Sequence, residues 1–284
     1  MLDAVVDFFI ERLFHDIIIL LYNYSLNEPF LALTITKAKL MNPQPSIIGT
    51  NLRKHAGPHL GMLAIAYTVL FNAGLTAVSA FGLPFGVKPP FWPGPWEPPD
   101  VIVSYFHTHP ANVLICVFLQ IGALIPLGIF AATIVSRLRF LGIDAAGPNI
   151  ALFGGFLTVF NSMAAGFTVW AMIHPGVTQD LTITPALNYL SYAFGGPGFS
   201  VPMGLLIAGV CIPAAFRKLL PKWLIVFGLL LALAGELSWF NLVFPKALFL
   251  IPLVRFPGFV WLIATGFMLP SAAAESARTR ELPA

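Results

Sequence analysis

Six stretches of mainly apolar residues dominate this chain of 284 residues, and each is long enough to cross a bilayer's ~30 Å hydrocarbon core, which takes about twenty helical residues. They run from Leu60 to Leu83, Ala111 to Val135, Ile150 to Ile173, within Ala186 to Phe216, Trp223 to Val243, and Ala247 to Leu269. The first three contain no Lys, Arg, Asp or Glu. Only 10% of the chain is charged, against about 25% for a soluble domain, so it cannot build a water-facing surface. The fold class that follows is all-α, a polytopic transmembrane helical bundle of six spans with the lipid bilayer as its solvent.

Loop charges orient the spans. Arg53 and Lys54 precede the first, Arg137 and Arg139 follow the second, Arg217, Lys218 and Lys222 separate the fourth and fifth, and Arg278 and Arg280 follow the sixth. These nine bases fall on one side, whereas the opposite loops hold Lys88 and Lys246 with Glu97, Asp100 and Asp180. The positive-inside rule makes the nine-base side cytoplasmic and predicts both termini there. The net charge of +3 is spread over these loops, which explains the basic balance without nucleic acid as a partner.

Three parts follow. Residues 1–52 form an amphipathic N-terminal segment, in which Val5, Phe9, Leu13 and Ile17 recur at helical spacing among Asp3, Asp7, Glu11 and Asp16. It reads either as an interfacial helix or as a mis-called extension before a true start at Met41. Residues 53–272 form the six-span membrane domain, and residues 273–284 a short cytoplasmic tail.

Two segments are irregular. Gly195-Gly196-Pro197-Gly198 and Pro202 should break the fourth span, either as a helix that begins after Pro197 or as a discontinuous helix of the kind transporters use. The loop Pro84 to Pro110 interleaves Pro89, Pro90, Pro93, Pro95, Pro98 and Pro99 with Phe91, Trp92 and Trp96. Proline density predicts neither helix nor central strand there, and the rings read as an aromatic belt or as a lid over an outward-facing cavity.

Charges inside spans are the strongest functional pointers, because leaving one in hydrocarbon costs ~2.5–3.5 kcal/mol. Two occur, Glu236 and Arg255. At about 1.5 Å per residue they lie roughly 10 and 12 Å below the outer surface. The short turn Phe244-Pro245-Lys246 makes their helices antiparallel neighbours, so an ion pair is the natural expectation, either as a brace or as a coupled proton or substrate site. Trp239, Asn161 and Tyr192 are further candidates for a polar site in the outer half. His107, His109 and His174 are weak candidates for a metal; no cofactor is implied, because no histidine pair sits mid-span for haem and no nucleotide-binding or hydrolase motif is present. Cys116 and Cys211 have no metal-type spacing. Gly154-Gly155, Gly166, Gly228 and Gly235 read as faces for close helix packing.

Leu219-Leu220-Pro221-Lys222-Trp223-Leu224, with Arg255-Phe256-Pro257-Gly258-Phe259-Val260-Trp261-Leu262-Ile263 after the next span, resembles uncharacterised bacterial multi-pass membrane proteins grouped as a domain of unknown function with about six helices. The resemblance covers Arg53 to Pro270 and implies topology and a bacterial inner membrane, without substrate or catalytic residues. Two functions follow as expectations. One is a non-enzymatic transporter-like, accessory or sensory bundle that takes a small hydrophobic or ionic ligand. The other is an integral-membrane enzyme acting on a lipid or isoprenoid, which normally gathers acids and histidines at one face to hold metal and phosphate.

Overall fold

The computed structural model describes residues 52–78 and 92–274. The amphipathic segment, Met41, Lys88 and the tail bases lie outside the described residues. Eight α-helices are described: α1 Leu60–Thr76, α2 Pro99–Thr108, α3 Pro110–Phe140, α4 Ala146–Met172, α5 Ile183–Gly195, α6 Pro197–Phe216, α7 Lys222–Leu237 and α8 Leu250–Met268. Two 3-10 segments, Ser238–Leu242 and Pro245–Phe249, join α7 to α8. Counting the 3-10 turns, and α5 with α6 as one 34-residue element, five helical elements are long and apolar enough to cross a membrane; α1, at 17 residues, is shorter. The architecture is that of an all-α, multi-pass membrane bundle.

The packing follows chain order and closes on itself. α1 lies on α3, α3 on α4, α4 on α6, α6 on α7, α7 on α8, and α8 back on α1, while α5 packs on α4. A short strand pair marks where the ring closes: β1, Leu52–Lys54, pairs with β2, Ala272–Ala274. The chain therefore enters and leaves the bundle at the same end. Arg137 donates to the Leu269 carbonyl there, and His55 Nε2 lies 3.0 Å from Ser136 Oγ. Arg139 and Arg217, which donate to Asn149 and to the Gly142 carbonyl, belong to the same end.

Burial is arranged as lipid requires. Phe153, Phe156, Phe160 and Phe167 on α4 are all more than half exposed, and Phe118 on α3 is 74% exposed. Such a surface would aggregate in water. Between helices the contacts are made by small residues: an added Cβ on Gly154 would lie 2.5 Å from both Leu206 N and Pro202 O, and one on Gly209 would lie 2.5 Å from Ala151 N. The α4–α6 contact is thus backbone against backbone, the packing that the glycine spacing leads one to expect.

One expectation is overturned. The loop between the first two apolar stretches contains a helix, α2, with Pro99 in its first turn. Its prolines cluster up to residue 99, and Asp100–Thr108 has none, so Pro99 starts a helix instead of preventing one. Buried Ile102, Tyr105 and Phe106 anchor it.

Candidate functional site

At the end of the bundle away from β1 and β2, a cavity of about 440 Å³ opens between α1, α3, α4, α5 and α8. This lies within the size range of small-molecule sites. Phe71, Leu75, Val117, Val169 and Ile251 give it apolar walls, and the segment Trp92–Trp96 lines it as a roof. The roof is tied down at several points. Trp92 sits edge-on to Phe106 at 5.2 Å, Trp96 edge-on to Tyr192 at 5.9 Å, and Asn188 Nδ2 donates to the Pro93 carbonyl at 3.3 Å. The proline–tryptophan segment thus covers the cavity.

The α5–α6 break shapes the cavity wall. A helical carbonyl pairs with the N–H four residues on, and proline has none. Gly196 is non-helical, and the N–H groups of Phe199 and Ser200 both turn to its carbonyl. The Gly195 carbonyl, deprived of Phe199, accepts from Arg255 Nη2. The Gly198 carbonyl, which faces Pro202 in sequence, accepts instead from Asn161 Nδ2 at 2.6 Å. Two side chains singled out in the sequence therefore complete a broken helix. The start of α5 is fixed by Asp180, whose Oδ1 accepts from the N–H groups of Thr182 and Ile183 at 2.7 and 2.8 Å; these bonds hold its carboxyl below the usual carboxylate range.

Arg255 is the one charged side chain among the described residues lining the cavity. Its guanidinium carbon lies 4.3 Å from the Phe199 ring centre and 5.2 Å from that of Phe71, and its Nε is buried without a partner. The expected ion pair with Glu236 is not formed. Arg255 turns toward the α5–α6 break, whereas Glu236 faces Gly204 on α6, with Oε1 buried and unpartnered. Similar depth on neighbouring helices fixes height but not the direction in which a side chain leaves its helix, and here the two directions differ.

The other candidates divide. Tyr192 lines the cavity and donates to Asn241 Oδ1 at 2.8 Å. Asn161 braces the break. Trp239 is half exposed and stacks on Phe240 at 4.3 Å, outside the cavity. His174 packs on Trp170 and His109 on Tyr105, and no group of three His, Cys, Asp or Glu suited to a metal occurs among the described residues. Gln120, Ser191 and Asn241 were missed by sequence reasoning. Gln120 had a readable signal, as an amide in the interior of a charge-free apolar run; Ser191 and Asn241 had none. Comparison with protein-family models, curated proteins and solved structures finds no match to this chain, so its functional reading rests on the chemistry of this cavity.

Proposed function

We propose that the chain is a six-span bundle of a bacterial inner membrane, with both termini cytoplasmic, that binds a small molecule in an outward-facing cavity as a non-enzymatic transporter-like, sensory or accessory protein. The observation that carries the reading is a roofed, apolar-walled cavity holding one guanidinium with no carboxylate paired to it among the described residues. Strand pairing at the ends of the ring supports an even number of crossings. So does α1, whose 17 residues cover about 26 Å and which is held in the ring between α3 and α8. The orientation is supported by Arg53, Arg137, Arg139 and Arg217, which lie at the end opposite the cavity. Membership of the resembled six-helix family belongs to the same proposal.

Cysteine labelling tests the orientation. A thiol at Trp96→Cys should react with a membrane-impermeant maleimide on intact cells, and one at Arg139→Cys only after permeabilisation. The reverse pattern would sink the proposed topology.

The cavity has its own test. With native Cys116, which also lines the cavity, replaced by alanine, Gln120→Cys puts a single thiol on the cavity wall, and a small charged methanethiosulfonate added from outside should modify it. Adding Ala165→Phe, which fills the space from α4, should slow that modification at least tenfold without changing membrane insertion. A rate indifferent to Ala165→Phe means that the reagent arrives by another route and that the cavity is not the accessible site.

A further inference from the structure

We infer that the cavity binds an organic monoanion, a carboxylate on a compact apolar body, seated against the Arg255 guanidinium. The inference rests on reading the cavity as a small-molecule site and adds the chemistry of its occupant.

Charge count comes first. No Asp, Glu, Lys or His is among the described residues lining the cavity, so Arg255 supplies one positive charge there. An occupant with one negative charge leaves the site neutral, whereas a dianion would bring in a second charge without a partner, at the cost such a charge carries in a low-dielectric site. An uncharged occupant would leave the guanidinium without a counter-charge among the described lining residues.

Hydrogen-bond polarity agrees. Ser162 donates its proton to the Thr158 carbonyl at 2.7 Å, Ser191 to the Asn188 carbonyl at 2.9 Å, and Tyr192 to Asn241. One N–H of the Asn188 amide goes to the Pro93 carbonyl. The three hydroxyls, with their protons given to these partners, are left as acceptors and offer an anion no donor. Arg255 is therefore the seat for the negative group, with Gln120 on the α3 wall of the same cavity.

Shape supplies the rest. An inorganic anion would occupy a small part of about 440 Å³ and leave the Phe71, Leu75 and Val169 walls uncovered, whereas an apolar body fills them. A carboxylate matches the planar guanidinium fork, one arm of which is already fixed on Gly195.

The test uses the full chain in lipid nanodiscs, with the melting midpoint and the tryptophan fluorescence, to which roof residues Trp92 and Trp96 contribute two of six rings, as readouts. The probes are octanoate, benzoate, octanol and octyl phosphate at pH 8. Octanoate should bind at least tenfold more tightly than octanol and more tightly than dianionic octyl phosphate, and Arg255→Met should remove the preference for octanoate over octanol. Saturation by benzoate as well assigns a water-borne acid; saturation by octanoate alone assigns an acid drawn from the bilayer. Octanol binding as tightly as octanoate overturns the inference while leaving the cavity a binding site. If none of the four binds, the cavity reading fails with it. Should Arg255→Met not fold, the octanoate-to-octanol ratio in the native protein decides alone.

Discussion

Gly154→Leu should cost roughly 3 kcal/mol of stability, because the new side chain must enter a space occupied by the α6 backbone. Even the first added carbon would lie 2.5 Å from Leu206 N and Pro202 O, and backbone atoms cannot swing aside as the tip of a side chain can. Gly122→Leu provides the control. A Cβ there meets nothing within 4 Å, so that substitution should change stability by no more than about 0.5 kcal/mol. Melting midpoints of the purified variants, read by fluorescence-detected size exclusion, compare the two. Equal midpoints would mean that α4 and α6 do not approach as described.

The second large effect concerns the two intramembrane charges. Arg255→Met should lower stability by about 2 kcal/mol, since it leaves the Gly195 carbonyl without its charged donor and removes the cation from two aromatic faces. Glu236→Gln should change it little, because the Oε1 it replaces has no partner to lose. The double replacement should equal the sum of the singles within about 0.5 kcal/mol, as expected for sites that share no partner. Recovery of stability in the double variant would restore the direct ion pair and refute the separation described here.

The contrast between these two cases explains what the sequence could reveal. Helix existence and close packing are written locally, in runs of apolar residues and in glycines at positions such as 154 and 235, because a bilayer leaves the backbone few alternatives. The break at Gly195–Pro197 was legible for the same reason, proline removing a donor wherever it stands. Partnership is not local. Nothing near Arg255 in sequence indicates Gly195, Phe199 or Phe71, which three different helices bring to it, and nothing near Asn161 indicates the orphaned carbonyl of Gly198. Mean composition misleads in the loop before α3, where the prolines up to residue 99 say nothing of the proline-free stretch Asp100–Thr108.

A ring whose last helix rests on its first has a consequence for biogenesis. Among the described helices α8 leaves the ribosome last, and it carries both the surface that meets α1 and the arginine that completes the α5–α6 break. Until then the Gly195 carbonyl lacks its donor and one side of α1 is uncovered, so every shorter nascent chain presents to the translocon and to membrane proteases an unfinished assembly. A chain cut before α8 thus exposes a gap, along α1 and at the α5–α6 break, that quality control can recognise.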